Sequence, residues 1–315
     1  MNPAPAILLM GPTASGKTDL AIRLARMAPA EIISVDSALV YRELDIGTAK
    51  PSRALRAEIP HHLVDVLDPA EAYSAGRFRR DALAAMEGAR ARGRIPVLVG
   101  GTMLYFRALL RGLAELPEAD PAMRAALDAE AERHGWPALH AELARVDPTA
   151  AARIRPGDSQ RIQRALEVWR LTGTPLSQLQ ATATGSPPGW RFLKLGLAPG
   201  SRPELHAAIE RRFEAMMQAG FLAEVERLHA RGDLHDGLPA IRAVGYRQLW
   251  AHVEGHCGLE DAVQDAVTAT RRLAKRQMTW LRAEPDLPWF DDAGAAAAVV
   301  ARSLADASGR TGVRA

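Results

Sequence analysis

The sequence predicts an α/β fold: a mostly parallel sheet with helices on both faces, plus an all-helical insertion. Three observations predict it. Short apolar runs alternate with helically spaced apolar residues through the first third of the chain. The first of these runs, residues 6–10, leads straight into a glycine-rich stretch and then a helical pattern. Past Leu113 the strand signals stop, and none returns before Phe192.

Taken in order, residues 6–10 (AILLM) read as a buried strand and residues 19–25 as the helix after the loop. Residues 32–35 form a second strand, ending on Asp36 and Ser37. Phe78, Ala82, Met86 and Ala89 recur at helical spacing, and Gly93 follows that helix. Residues 95–99 form another strand, ending in Gly100, Gly101 and Thr102; Pro96 is tolerable near its start. Asp120-Pro121, Asp147-Pro148 and Asp158-Ser159 then look like helix starts, with aspartate as cap. Gly173 ends the helix that begins near Ser159. After the turn-rich residues 185–189, residues 192–197 return as a strand, and a long helix spans about 259–282. From Ala293 an alanine-rich segment predicts a short helix with a frayed tail. The expected division is a core of residues 1–114 and 191–315 around a helical insertion of 115–190.

The 315 residues suffice for a substantial core, and 48% apolar with 24% charged residues is ordinary for a globular protein. No apolar run approaches the ~20 residues of a membrane span. Cys257 is the single cysteine, which excludes a disulfide framework and a cysteine zinc site and makes a reducing cytoplasm the expected location. A net charge of +3 is too small to identify a polyanionic partner, so local clusters matter more.

Gly11, Pro12, Thr13, Ala14, Ser15, Gly16, Lys17 and Thr18 fit the pattern of glycine, four free positions and Gly-Lys-Ser/Thr. Between a strand and a helix, such a P-loop wraps backbone N–H groups around linked phosphates. Lys17 brings charge to the terminal phosphates and Thr18 a hydroxyl to magnesium. The core is therefore expected to be P-loop NTPase-like. The motif indicates a di- or triphosphate without saying which.

Two further strand ends would open on the same crevice. Asp36 there is a general base or a group that orients a metal's water; its structural alternative is a helix cap. Thr102 is a helix cap or a substrate contact. His61 and His62, adjacent in the chain, point opposite ways in an extended segment, so a turn packed on Leu63, Val64 and Val66 is expected rather than a metal site. In residues 159–171, Ile162, Leu166 and Trp169 have the spacing for burial, leaving Gln160, Arg161, Gln163, Arg164 and Arg170 outward. In the late helix, Leu273, Gln277 and Trp280 share one face, and Arg271, Arg272, Lys275 and Arg276 crowd elsewhere with no acid among them. Both are candidate nucleic-acid surfaces.

GPTASGKT at 11–18, DSALVYRELDIGTAKP at 36–51, PHHLVDVLD at 60–68, GGTMLYF at 100–106, QRIQRALE at 160–167, VGYRQ at 244–248 and TRRLAKRQMTWL at 270–281 together closely resemble the bacterial tRNA dimethylallyltransferases, or tRNA isopentenyltransferases. The resemblance spans about residues 5–290, and these motifs are far more specific than the phosphate loop alone. It implies a magnesium-dependent, monomeric enzyme. Such an enzyme transfers a dimethylallyl group from dimethylallyl diphosphate to N6 of the adenine 3′ of the anticodon (position 37), in tRNAs reading codons that begin with U.

By the same resemblance Asp36 is the catalytic base, and Lys17, Thr18 and Arg212 serve the diphosphate, with Arg211 ranked below Arg212. Asp36, Ser37, Ala38, Leu39, Thr102 and Arg124 are implied tRNA contacts. So are Gln160, Arg161, Ile162, Gln163 and Arg164, and Arg242, Ala243, Val244, Gly245, Tyr246 and Arg247. The insertion would grip the anticodon stem-loop. Rival readings are an ATP-dependent small-molecule kinase with an arginine-rich lid, an RNA-binding NTPase switch, and a prenyltransferase acting on free adenosine phosphates.

Overall fold

The computed structural model describes residues 3–114, 116–182 and 185–309. The chain forms two compact units, Met1–Ala108 with Pro188–Ala315, and Leu109–Pro187. The second is built of helices, where an insertion of 115–190 is expected. Its boundary falls inside a helix rather than at residue 115, because the composition changes only in the loop after that helix. At the far end it closes at Pro187, just short of the returning strand.

The first unit opens with β1 (Ala4–Met10), α1 (Lys17–Met27), β2 (Ala30–Val35), α2 (Arg53–Glu58), β3 (His61–His62), α3 (Ala75–Ala91), β4 (Ile95–Gly100) and α4 (Met103–Arg111). Six strands stand in the order β3-β2-β4-β1-β5-β6 and every pairing is parallel. The apolar runs of β1, β2 and β4 are buried because helices cover both faces of a parallel sheet. Their register sets the site: Met10 pairs with Gly100, and Val35 pairs with the same Gly100. The chain therefore leaves all three strands at one sheet edge.

His61 and His62 form a short edge strand beside Ile32 and Ile33, not the expected turn. The cause is Glu31, buried at the start of β2, whose carboxylate lies 2.7 Å from His62 Nε2 and accepts both Arg92 Nε (2.8 Å) and Nη2 (2.7 Å). The Arg92 hydrogen bonds, with His62, pull its pKa down to about 2 against the opposing effect of burial. Leu63 and Val64 are buried as expected, whereas Val66 is exposed.

The helical unit contains α5 (Pro121–His134), α6 (Trp136–Val146), α7 (Pro148–Ala151), α8 (Ser159–Thr172) and α9 (Leu176–Gln180). All three aspartate caps form: Asp120 accepts Met123 N–H, Asp147 accepts Ala150 N–H and Asp158 accepts Arg161 N–H. Gly173 ends α8 in the left-handed region at φ 67°. Leu127, Leu139, Leu143, Ile162 and Leu166 build its core.

The polar face of α8 is less open than its sequence suggests. Glu167 is fully buried and accepts Arg124 Nε (2.8 Å), Arg164 Nη1 (2.6 Å) and the Asp120 N–H (2.9 Å). Burial alone would raise its pKa, but these donors more than reverse that. Arg170 binds Glu130 and Glu142, and Trp169 is only half-buried.

The chain returns through β5 (Trp190–Leu197), α10 (Arg202–Gln218), α11 (Phe221–Ala230), α12 (Tyr246–Val253), α13 (Leu259–Arg282), β6 (Trp289–Phe290) and α14 (Ala293–Gly309). Tyr41, Leu44, Ile209, Phe213, Phe221, Tyr246 and Trp250 form a second core that joins α10–α13 to the segment after β2. The final helix is longer than expected, and the frayed tail lies outside the described residues. No helix among the described residues is long and apolar enough to cross a membrane.

Replacing Glu167 by Ala strands two arginines beside a cavity and removes four hydrogen bonds to a charged group. The expected loss is about 2 kcal/mol of stability, held down by the partial exposure of both arginines. Urea unfolding measures it; an unchanged midpoint contradicts the role assigned to Glu167.

Candidate active site

Residues 11–16 turn the chain from β1 into α1 so tightly that a Cβ on Gly11 would meet the Leu197 carbonyl oxygen at 2.3 Å. Ala14 is held at φ 61°, a strained value for a residue with a side chain. Ser15 Oγ is buried without a hydrogen-bond partner. A buried polar atom left this way costs free energy unless a ligand or water meets it, so its position fits a phosphate cradle.

Lys17 Nζ donates to the Pro12 carbonyl (2.9 Å) and faces a cleft of about 600 Å³. Burial chiefly, then the nearby Arg212 guanidinium, lowers its pKa to about 8, with Asp36 pulling the other way. Arg212 projects from α10 into the same cleft and donates Nη2 to the Thr48 carbonyl (3.2 Å). Its pKa is also lowered by burial and raised by Asp36. Arg211, the next residue, is exposed and does not line the cleft.

Asp36 follows the last residue of β2. Its Oδ1 accepts the N–H groups of Ala38 (2.8 Å) and Leu39 (3.4 Å). This is a side-chain turn rather than a helix cap, because the chain after Ser37 runs through turns until α2. Oδ2 makes no hydrogen bond among the described residues, leaving one oxygen for chemistry. Thr102 does not cap α4 with its hydroxyl either. Its Oγ1 accepts the Ser37 N–H (3.1 Å) and so ties the Asp36 loop to the end of β4.

Gln277 on α13 was placed by spacing on a face with Leu273 and Trp280, but nothing in the sequence marked it as a clamp. Its Oε1 accepts the Thr13 N–H (2.9 Å) and its Nε2 donates to the Gly101 carbonyl (2.9 Å), bracing the phosphate loop against the next strand end. A polar residue on the apolar seam of an amphipathic helix was the available signal.

Thr13, Ala14, Lys17 and Thr18 line the cleft with Asp36, Ser37, Ala38, Leu39, Thr102 and Arg212. Arg242, Ala243, Val244 and Tyr246 line it too, whereas Arg247 is exposed elsewhere. Two implied tRNA contacts need correction. Ile162 is fully buried, so its side chain does not reach RNA, and Tyr246 is buried with its hydroxyl given to Glu224. Arg124, Gln160, Arg161, Gln163 and Arg164 belong to the helical unit and do not line this cleft. Within that unit Gln163 binds Asp128, and Arg124 and Arg164 are committed to Glu167.

The basic run of α13 is also partly neutralised, since Arg271 pairs with Glu210 of α10. Arg272, Lys275 and Arg276 are exposed and have no ion-pair partner among the described residues. Trp280 is exposed at the cleft rim with the Arg107 guanidinium 5.5 Å from its ring. No group of three or more His, Cys, Asp or Glu side chains suited to a metal occurs among the described residues.

If the exposed cations of α13 meet an RNA backbone, replacing Arg272, Lys275 and Arg276 together by Ala flattens the dependence of log Kobs on log salt by about 2 units. Filter binding across a salt series measures the slope, and an unchanged slope moves the RNA off this helix.

Comparison with known proteins places the chain in a family. The family described as IPP transferase matches residues 39–284, and that described as isopentenyl transferase matches residues 5–59. A tRNA dimethylallyltransferase of Alkalilimnicola ehrlichii is 61% identical over 280 residues, 89% of this chain and 88% of that protein. One from Thioalkalivibrio sulfidiphilus is 60% identical over 287 residues, 91% of this chain and 89% of that protein. The solved tRNA isopentenylpyrophosphate transferase of Bacillus halodurans aligns with a TM-score of 0.70 at 34% identity, covering 98% of this chain and 99% of that one. A eukaryotic dimethylallyltransferase solved acting on tRNA aligns with a TM-score of 0.76 at 27% identity, over 88% of this chain and 70% of that one. A phosphate loop, an aspartate turn and an α10 arginine facing one cleft thus sit within a sequence match along most of the chain, which belongs to the IPP transferase family.

Proposed function

We propose that this chain is a tRNA dimethylallyltransferase, moving a dimethylallyl group from dimethylallyl diphosphate to N6 of the adenine 3′ of the anticodon, at position 37, in tRNAs reading codons that begin with U. The observation that carries this reading is one cleft holding both a phosphate cradle and a carboxylate with a free oxygen. The names of the similar proteins support tRNA as substrate. The family match favours prenyl transfer over the kinase alternative.

The diphosphate would lie against residues 11–18, with Lys17 and Arg212 meeting its oxygens. The adenine leaves its stack in the anticodon loop to enter the cleft. Its N6 is a weak nucleophile because the lone pair is delocalised into the ring. As N6 bonds the allylic carbon, the carbon–oxygen bond breaks and its electron pair departs on the diphosphate. Asp36 takes the N6 proton through Oδ2, and the two cations stabilise the charge growing on the leaving oxygens.

The donor set suits magnesium. Thr18 offers a hydroxyl and no carboxylate cluster competes among the described residues, so substrate phosphates and waters would supply most ligands. Bound there, magnesium would add charge neutralisation at the leaving group. On this reading the enzyme works as a monomer in the cytoplasm.

Incubation with unmodified tRNA and radiolabelled dimethylallyl diphosphate, with magnesium and without ATP, tests the function. Label in the tRNA supports it; ATP turnover with unlabelled tRNA favours the rivals.

Asp36→Asn keeps an oxygen for the Ala38 and Leu39 N–H groups but removes the base. Single-turnover rates are expected to fall by about 10³-fold, with tRNA affinity unchanged. Retained turnover excludes Asp36 as the base.

Lys17 generates a pH signature. Its free-enzyme pKa of about 8 lies below the ordinary lysine value, and a bound diphosphate favours the charged form. Affinity for an unreactive thio-analogue of dimethylallyl diphosphate therefore falls as pH rises through about 8, and binding above that pH takes up a proton. The analogue is already ionised there, since its second phosphate pKa is about 6. Lys17→Met abolishes the dependence, and calorimetry in buffers of different ionisation enthalpy measures the uptake; a pH-independent wild-type affinity contradicts the assignment.

A further inference from the structure

The segment between β2 and α2 has no helix or ladder of its own, yet Gly47, Thr48 and Ala49 form one wall of the cleft. A carboxylate from a distant part of the chain holds it. Glu224, in the first turn of α11, is 1% exposed and accepts the N–H groups of Asp45 (3.1 Å), Ile46 (2.8 Å) and Gly47 (3.2 Å). Its fourth donor is the Tyr246 hydroxyl, at 2.6 Å. No cation pairs with Glu224 among the described residues, so three backbone dipoles and a phenol answer its charge. Such a buried charge is tolerable only with every donor in place.

Packing presses the segment onto the same partners. A Cβ on Gly47 would sit 2.1 Å from the Phe221 ring and 2.7 Å from that of Tyr246, so no side chain fits there. The next residue, Thr48, presents the only hydrogen-bond acceptor that Arg212 uses among the described residues. Glu224 thus holds the Asp45–Gly47 amides, and the backbone one residue further on carries the Thr48 carbonyl that accepts the Arg212 guanidinium.

We propose that Glu224 is a positioning residue for Arg212: by fixing the Asp45–Gly47 amides it sets the Thr48 carbonyl that aims the guanidinium at the diphosphate. The assignment rests on Arg212 being a diphosphate ligand, as read above. It also gives Tyr246 a task other than RNA contact. Burial first, then Glu224, pushes the phenol pKa well up, so the hydroxyl remains a donor at any working pH. If Glu224 merely glued α11 and α12 to the segment, its loss would lower stability without a specific link to Arg212.

A double-mutant cycle separates the two cases. Affinity for the thio-analogue is measured for wild type, Glu224→Gln, Arg212→Ala and the double variant, together with tRNA affinity and melting temperature. Gln supplies one acceptor oxygen and turns an amide N–H₂ against the remaining donors, so Glu224→Gln is expected to weaken analogue binding about fivefold to tenfold. In turnover it raises KM for dimethylallyl diphosphate while leaving KM for tRNA within twofold. The double variant binds the analogue no more weakly than Arg212→Ala alone.

An additive cycle, or a lowered melting temperature with analogue affinity unchanged, overturns the proposal. Should Glu224→Gln fail to fold, Tyr246→Phe removes one donor while keeping the ring, and the same cycle with Arg212→Ala applies. Wild type that does not bind the analogue overturns both the diphosphate reading and this assignment; binding with an additive cycle overturns this one alone.

Discussion

A carboxylate and two desolvated cations facing one cleft form the arrangement that the rest of this core serves. Lys17 and Arg212 are each pushed toward neutrality by burial, Lys17 also by Arg212, and Asp36 opposes the effect at both. The cleft therefore holds positive charge at a desolvation cost. On the proposed reading an anionic leaving group relieves that cost, which would give the site affinity for a diphosphate and stabilise the charge that grows as the diphosphate departs. Asp36 faces the same cleft with only one of its oxygens free of the backbone, and on the proposed reading that oxygen takes the proton.

Holding that arrangement is a problem of loops. Parallel register brings the ends of β1, β2 and β4 to one edge, but the functional groups sit beyond the strands. Polar ties from other segments make up the difference. Gln277 braces the phosphate loop, the Thr102 hydroxyl braces the Asp36 turn, and Glu224 braces the segment under Arg212. The ties from Gln277 and Glu224 join residues on opposite sides of the helical insertion in sequence, so the cleft is complete only when those two halves of the core have come together. Function here resides on loops, with the sheet as the rigid support.

Most of the architecture was legible in the sequence, for identifiable reasons. Buried strands write themselves as apolar runs, and the aspartate caps at 120, 147 and 158 act through hydrogen bonds to nearby backbone, so local reading finds them. The phosphate loop is local too. What escaped depends on partners distant in the chain. His61 and His62 became an edge strand because Glu31 waits one strand away. The naked basic faces of α8 and α13 proved partly paired, with acids supplied by α5, α6 and α10 and from within α8 itself. Gln277 and Glu224 look like ordinary polar helix residues until the fold sets a loop against them. Ile162 and Tyr246 show the opposite failure, because a motif marks a segment as important without saying which side chains face outward.

The central claim is that one cleft accepts a proton on Asp36 while Lys17 and Arg212 hold the departing diphosphate. A crystal structure of the enzyme with an anticodon stem-loop and the thio-analogue tests it most directly. The account predicts the extruded adenine N6 within about 3 Å of the free Asp36 oxygen, with the analogue's phosphates against residues 11–18. An adenine bound away from Asp36, or phosphates outside the loop, would contradict it.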